Sequence, residues 1–314
     1  MDSLPRKLIA GSLAATCALL LLLSAACSRQ SEPTTPAANA ASTSADDRAD
    51  WPPVIRIGFV PSEGGVDIVE RFAPLVNHLS EQLGHPIEAR SATEYIGVIT
   101  AMQNKQLEFA YFGPKAYIEA RTMAGAEAIV RELDAKGNPG YRSILIVHKD
   151  APYQNLEDLR GTKFGFVVQN STSGYLVPAV GIIEETGVKP DAYFGQIVWT
   201  GTHGNAMQAV ARRELDAAAT NDLDLQAMHA GGSINREDFR VVWTSDLIPG
   251  SPIAARSDVP ESLKAAIRDA VLSMNARPED LEAMSRGGFV TATDADYESI
   301  RLLQSIEADL LSGG

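Results

Sequence analysis

The sequence predicts an α/β protein made of two units, each with a mixed, mostly parallel sheet flanked by helices. Short β-rich runs alternate with helical patterns through the first half of the chain, and this alternation is typical of a sheet covered by helices. After a strand at 141–148 the same alternation begins again. A chain of 314 residues is long enough for two such units.

The first unit opens with an apolar, β-branched strand that runs into a glycine loop, and periodic apolar residues then predict a helix that Gly84 ends. The predicted elements, in order, are a strand at 54–60, a helix at 66–83, a strand at 87–90, a helix from Tyr95, a strand at 107–112 and a helix entered at Gly113 and Pro114.

In the second unit, polar loops follow three predicted strands. The predicted elements are strands at 141–148, 164–168, 197–199, 215–220 and 241–243, a turn-rich return at 247–252, and helices from 260 to 311. Ligands of open α/β sheets bind beyond the carboxyl ends of the strands, so these loops are expected to converge on one crevice.

The amino terminus has the pattern of an export signal. Arg6 and Lys7 precede an apolar stretch at 8–23, and small residues lead to Cys27. The segment 1–27 resembles a bacterial lipoprotein signal, which implies lipidation of Cys27 and a membrane-anchored, extracytoplasmic protein; cleavage without lipidation is the alternative. Residues 28–53, rich in Ser, Thr, Pro and Ala, are predicted to form a flexible tether.

Composition excludes several classes of function. The formal charge of −13 argues against nucleic acid and anionic membrane surfaces as partners. The five histidines are scattered, and no pair has the spacing of metal ligands on one helix. No phosphate-binding loop with Lys followed by Ser or Thr is present. Neither a metal nor a cofactor is therefore predicted.

The most informative motif is the polar run Asn170, Ser171, Thr172 and Ser173, followed by Gly174 and an apolar helical stretch. The first backbone N–H groups of a helix lack internal partners and carry the positive end of the helix dipole. One hydroxyl would serve as an N-cap, whereas three consecutive hydroxyls exceed that need. The run therefore predicts an anion site at a helix start.

Other polar residues follow neighbouring strands. His203 lies in a glycine-containing loop, where it is either a turn residue or a donor to the same oxyanion. Asp222 and Asp224 form either a helix N-cap with a first-turn acid or a site for a positive or protonated ligand group. Tyr95 follows a polar bend, from which its phenol could reach across a cleft.

Four strings together resemble the phosphonate-binding proteins of ABC transporters: 170–178, 111–114, 201–205 and 248–252. The resemblance covers the chain after about residue 54. It implies the two-lobed periplasmic binding protein fold of type II, with lobe 1 at 54–147 plus 249–314 and lobe 2 at 148–248. It also implies a monomeric, non-catalytic binding protein that delivers a phosphorus oxyanion to a permease and its ATPase.

By this resemblance, Ser171, Thr172, Ser173 and His203 hold the phosphonate oxygens, and Tyr95 with Tyr111 or Phe112 completes the site. Members that bind 2-aminoethylphosphonate use acids for the amine, one near Asp222 or Asp224 and one where this chain has Ser251. That difference favours a small phosphonate, phosphite or phosphate, unless Glu63 or Asp224 replaces the missing acid. Two alternatives stay open, namely an exported hydrolase using Ser171 or Ser173 with His203 and Asp222, and a sensor lobe.

Overall fold

The computed structural model describes residues 48–62 and 68–312. The predicted signal, Cys27, most of the tether and Glu63 lie outside these residues. Trp51, at the end of the predicted tether, is buried, and its indole N–H donates to Ser262 Oγ at 3.0 Å. Within the described ranges, no helix has the length and apolar character needed to cross a bilayer.

The chain alternates strands and helices, with a π-helical turn at Thr172–Leu176. The strands are β1 Ile55–Phe59, β2 Ile87–Ser91, β3 Phe109–Tyr111, β4 Ala126–Leu133, β5 Gly140–Tyr141, β6 Ser143–His148, β7 Lys163–Phe166, β8 Gln196–Trp199, β9 Ala217–Asn221, β10 Phe239–Thr244, β11 Ile248–Pro249, β12 Pro252–Arg256 and β13 Gly288–Thr291. The helices are α1 Ile68–Arg71, α2 Ala73–Leu83, α3 Tyr95–Gln103, α4 Pro114–Ala124, α5 Val177–Thr186, α6 Pro190–Tyr193, α7 His203–Ala211, α8 Asp222–Ala230, α9 Glu261–Ser273, α10 Pro278–Ala283 and α11 Glu298–Ser312.

The strands form two main sheets, and each sheet defines one lobe. The first lobe has the strand order β13-β4-β12-β3-β1-β2, and the second has the order β10-β6-β9-β7-β8. A short antiparallel pair, β5 with β11, lies where the chain passes between the sheets in both directions. The strand β6, which the predicted boundary puts into lobe 1, pairs in the sheet of the second lobe.

The predicted α/β class with mixed sheets is confirmed, but fewer strand pairs are parallel than expected. In the first lobe β1 pairs in parallel with β2 and β3, whereas β12, β4 and β13 pair antiparallel. In the second lobe β7 pairs in parallel with β8 and β9, whereas β6 pairs antiparallel with β9 and β10. The antiparallel strands β6 and β12 are the first strands that the chain forms after it passes from one lobe to the other.

Three strands of the main sheets, β4, β12 and β13, and one helix break were missed. The strand β4 exposes alternate residues, but its sequence, AEAIVREL, places alanines and Glu132 on the buried face, so its apolar pattern is weak. The strand β13 interrupts the predicted helical region after residue 260. The predicted helix at 66–83 breaks at Phe72, next to Pro74, and ends as predicted at Gly84 with a left-handed φ of 57°.

Apolar side chains fill both faces of both sheets. In the first lobe one cluster lies under α2 and α9, and another lies under α3 and α4. This second cluster continues into the start of α5 and reaches α11, so it joins the lobes beside the crossing. The second lobe has its own clusters on the two faces of its sheet. The packing leaves the carboxyl ends of β1, β3, β7 and β9 facing a common cavity.

Candidate functional site

A cavity of about 40 Å³ lies between the lobes. One water needs roughly 10–15 Å³ measured in this way, so the space holds about three waters, which suits a small oxyanion. Its wall combines the polar loops after strands of both sheets with residues near the crossing. The lining includes Ser62, Tyr95, Tyr111, Gly113, Glu132, Tyr141, Ser171, Thr172, Ser173, His203, Asn221, Leu223, Asp224, Ser251 and Arg286.

The hydroxyl run forms the entrance to the π-helical turn. Ser171 is the N-cap, and its Oγ accepts the Gly174 N–H at 3.0 Å. The Leu176 N–H reaches back five residues to the Ser171 carbonyl at 3.1 Å. A Cβ on Gly174 would lie 2.3 Å from Val167 Cγ2, so only glycine lets the turn pack this closely against the end of β7. Single π turns of this kind are frequent at functional sites.

Backbone amides orient two of the hydroxyls. Because Ser171 Oγ accepts an amide proton, its own hydroxyl hydrogen is available to a ligand. Thr172 Oγ1 accepts the Lys115 N–H at 2.8 Å, which is an otherwise unpaired first-turn group of α4 in the other lobe. The Thr172 hydroxyl therefore receives its orientation from the opposite lobe and keeps a hydrogen to donate.

His203 stands beside Ser171 at the start of α7. Its Nε2 is 3.3 Å from Ser171 Oγ, and its Nδ1 is 3.1 Å from Thr220 Oγ1. Burial lowers the pKa of His203, and the charge of Asp224 only partly offsets this effect. The imidazole is therefore neutral near pH 7. If the Thr220 hydroxyl donates to Nδ1, the single N–H of the ring lies on Nε2 and faces the cavity.

Asp224 is buried in the first turn of α8. Its backbone N–H donates to Oδ1 of Asn221, the N-cap of that helix, at 2.7 Å. The Asn221 amide in turn donates to Asp224 Oδ2 at 2.8 Å. The same Oδ2 lies 4.0 Å from His203 Nε2. A carboxylate thus lies directly beside the predicted oxyanion donors.

The opposite wall holds a buried ion pair. Arg286 and Glu132 are both almost fully buried, and Arg286 Nε donates to Glu132 Oε2. The Tyr111 hydroxyl donates to the same carboxylate oxygen at 2.8 Å and accepts from Arg286 Nη2 at 3.2 Å. The Ser251 N–H donates to Glu132 Oε1 at 3.3 Å.

These contacts decide what the ion-pair residues can offer a ligand. Burial alone would lower the pKa of Arg286, but the charge of Glu132 and the interaction with Tyr111 have the larger, opposite effect, so the pKa of Arg286 is raised. Burial and the charge of Glu132 raise the pKa of Tyr111. Because the Tyr111 hydroxyl donates its hydrogen bond to Glu132, Tyr111 is not a donor to an oxyanion in this arrangement.

Two more tyrosines line the cavity. Tyr95 is the first residue of α3, is buried and lines the cavity. Tyr141, in the short strand β5, has hydrogen-bond partners in the side chains of Ser173 and Thr172, and burial raises its pKa. Its phenol is therefore neutral and in contact with the hydroxyl run.

Three predicted ligand residues lie elsewhere. Phe112 points to the opposite face of the strand from Tyr111 and packs in the core, because side chains alternate along a strand. The Asn170 amide donates to Glu119 Oε2 on α4, so it joins the two lobes. Asp222 lies outside the cavity, where its Oδ1 accepts the Arg142 N–H at 2.8 Å. Burial raises the pKa of Asp222, and hydrogen bonds from backbone N–H groups, including that of Arg142, oppose this shift.

Eight lining residues were absent from the predicted site, and four of them carry polar side chains that matter to its chemistry, namely Glu132, Tyr141, Asn221 and Arg286. Glu132 lies on the unrecognised strand β4, and Arg286 follows α10 without any motif. Tyr141 was assigned only to a strand, and Asn221, directly after the predicted strand at 215–220, was given no role. The Asn-x-x-Asp spacing of Asn221 and Asp224 was a usable signal, because this spacing is typical of a reciprocal N-cap.

The hydrolase alternative requires a base held by a carboxylate on its far nitrogen. Here Asp224 and Ser171 both approach Nε2 of His203, while Nδ1 faces Thr220. Asp222 lies outside the cavity altogether. The predicted set therefore does not form a triad. Over the ranges 48–62 and 68–312, no cluster of three or more metal-ligating side chains occurs.

Comparison with known proteins agrees with this geometry. Residues 57–297 match the family described as ABC transporter, phosphonate, periplasmic substrate-binding protein. The phosphonates-binding periplasmic protein of Escherichia coli is 30% identical over 79% of this chain and 75% of its own length. A phosphate-import protein of Mycolicibacterium smegmatis is 29% identical over 92% of this chain and 94% of its own.

A solved structure gives the same result. The binding protein component of a phosphonate ABC transporter from Pseudomonas aeruginosa superposes with a TM-score of 0.77 at 29% identity, covering 82% of this chain and 87% of that chain. This similarity confirms the predicted two-lobed fold, with its mixed sheets and flanking helices.

Proposed function

We propose a function from the family to which this chain belongs, the periplasmic substrate-binding proteins of phosphonate ABC transporters. The protein captures a small phosphorus oxyanion between its lobes and delivers it to a permease. The observation that carries the proposal is the convergence of Ser171, Thr172, Ser173 and His203 on one cavity. These groups are neutral donors. They hold an anion without requiring a favourable overall field, which the net charge of −13 could not supply.

Both lobes contribute to the donor set. The hydroxyl run belongs to the second lobe, and the Lys115 amide that orients Thr172 belongs to the first. The backbone N–H of His203, not its ring, donates to the Ser62 carbonyl of the first lobe at 2.8 Å. Closing the lobes therefore completes the hydrogen bonds around the ligand and excludes water, which strengthens each of them.

The cavity favours a compact ligand. It has room for about three waters. The carboxylate of Glu132 is already paired with Arg286, and Ser251 stands where the resemblance implies an acid in members that bind an amine. We therefore rank methylphosphonate, phosphite and phosphate above 2-aminoethylphosphonate. The names of the relatives, a phosphonates-binding protein and a phosphate-import protein, support this ligand class.

We further propose a tethered arrangement. Segment 1–27 would direct export, Cys27 would carry the lipid, and the tether at 28–53 would let a monomer reach the permease and its ATPase. We assign lobe 1 to 54–142 plus 249–314 and lobe 2 to 143–248, which moves the predicted boundary after residue 147 because β6 pairs in the second sheet. Replacing Cys27 with alanine should move the protein from the membrane fraction to the soluble fraction; unchanged partition would contradict the anchor.

Isothermal titration calorimetry tests the ligand class. Purified residues 48–314 would be titrated with methylphosphonate, 2-aminoethylphosphonate, phosphite, phosphate and methanesulfonate. We expect at least one small phosphorus oxyanion to bind, and Ser171→Ala or His203→Ala to weaken its binding at least tenfold. Failure of every phosphorus ligand would refute the proposal.

A further inference from the structure

Among the residues that the structure describes, Asp224 is the acidic group of the cavity that has no Lys or Arg within ion-pair distance, and the charge of Arg286 acts on it only from farther away. Glu132 is paired with Arg286 and accepts a hydrogen bond from the Tyr111 hydroxyl. Asp224 Oδ2 receives only the neutral Asn221 amide, and its one ion-pair contact among the described residues is His203 at 4.0 Å. Since His203 is neutral near pH 7, a negative charge remains inside a cavity that is built to hold an anion.

The position of this carboxylate decides what it can recognise. It lies beside His203 Nε2, which itself lies 3.3 Å from Ser171 Oγ. An oxyanion that accepts from both of these donors must place an oxygen next to Asp224. Two negatively charged oxygens in such contact repel each other strongly when buried. A shared proton converts the same contact into a short, charge-assisted hydrogen bond.

We propose that Asp224 accepts a hydrogen bond from a P–OH group, so the protein selects the singly protonated form of a phosphorus oxyanion over the fully deprotonated form and over sulfonates. This inference rests on the proposed function and specifies its ligand. No bond to phosphorus forms or breaks, and the ligand proton stays between the two oxygens. A carboxylate of this kind acts by rejecting the wrong charge state as much as by binding the right one.

Methanesulfonate is the sharpest probe. It has nearly the shape of methylphosphonate and the charge of its monoanion, but it carries no acidic proton near neutral pH. We expect the wild-type protein to bind methylphosphonate at least a hundredfold more tightly than methanesulfonate at pH 6.5. Asp224→Asn removes the charge and offers an N–H donor, so it should reduce this ratio to less than tenfold.

The pH dependence gives a second readout. Above the second dissociation of the ligand, the Kd of the wild-type protein should rise about tenfold per pH unit, because one proton must be restored for binding. The Asp224→Asn variant should lose this slope. The pH threshold above which the Kd begins to rise should shift when phosphite replaces methylphosphonate, since the proton belongs to the ligand. A pH threshold set by the protein would not shift in this way, whichever of the other titratable groups of the cavity caused it: Tyr95, Tyr111, Glu132, Tyr141, His203 or Arg286.

Asp222→Asn is the matched control, because Asp222 lies on the same helix, outside the cavity, and the change removes one charge equally. It should leave both the ratio and the slope unchanged. If the wild-type protein binds no phosphorus oxyanion, the proposed function fails. If it binds methylphosphonate without a pH slope, or Asp224→Asn keeps the slope, only this inference fails. The inference also fails if 2-aminoethylphosphonate binds more tightly than methylphosphonate and Asp224→Asn abolishes this difference without changing the binding of methylphosphonate. Asp224 would then bind the amine.

Discussion

Replacing Arg286 with methionine should destabilise the folded protein strongly. Arg286 and Glu132 have side-chain exposures of only 2% and 1%, so neither charge is solvated by water when its partner is removed. The substitution also removes the contact of the guanidinium with Tyr111 at 3.2 Å and its hydrogen bonds to the Met284 and Ser285 carbonyls. Leaving one member of a buried pair uncompensated costs about 3–5 kcal/mol.

At about 2–4 °C per kcal/mol for a domain of roughly this size, the melting temperature should fall by about 6–20 °C. Calorimetric unfolding of the purified protein without ligand measures this shift. The double variant Glu132→Gln with Arg286→Met removes both charges and should recover more than half of the loss, since the buried charge is then absent. A fall of less than about 2 °C, or a double variant no more stable than Arg286→Met, would refute the reasoning.

Substitutions of Gly174, Thr220 and His203 test the other side of the cavity. Gly174→Ala forces a Cβ to within 2.3 Å of Val167 and should lower the free energy of unfolding by about 1–3 kcal/mol. The control Gly231→Ala, whose Cβ would meet nothing closer than 3.4 Å, should lower it by less than about 1 kcal/mol. Equal melting temperatures of the two variants would contradict the packing argument. Thr220→Val removes the partner of His203 Nδ1 and should weaken ligand binding about tenfold by calorimetry, while Thr220→Ser should bind as the wild type does. Burial lowers the pKa of His203, so the unfolded chain takes up its proton first as pH falls below 6.5. Wild-type stability should therefore drop more between pH 7 and 5 than that of His203→Gln, and parallel curves from denaturant unfolding would count against a neutral buried His203.

The sequence identified the hydroxyl run well because its signal is local. Ser171 and Gly174 belong to one turn, and the geometry of that turn follows from a few consecutive residues. The same holds for His203 at the start of α7 and for Tyr95 at the start of α3. Each of these side chains follows a strand, and the order of the strands brings the loops together.

The ion pair could not be predicted because its signal is not local. Glu132 and Arg286 are 154 residues apart and meet only when β4 and the segment before β13 come together. In the sequence, Glu132 reads as a surface residue of a weakly patterned segment. The alternation of side chains along a strand also separates Tyr111 from Phe112, which the sequence could not distinguish without knowing which face is the core.

The bond from the Lys115 N–H to Thr172 Oγ1 has a kinetic consequence. It joins the lobes through a hydroxyl that also faces the ligand, so the lobes cannot separate while this bond and the ligand contacts both persist. Dissociation then requires opening first, and the lifetime of the complex depends on contacts between lobes as well as on contacts with the ligand. A permease that pulled the lobes apart would release the ligand without competing for it.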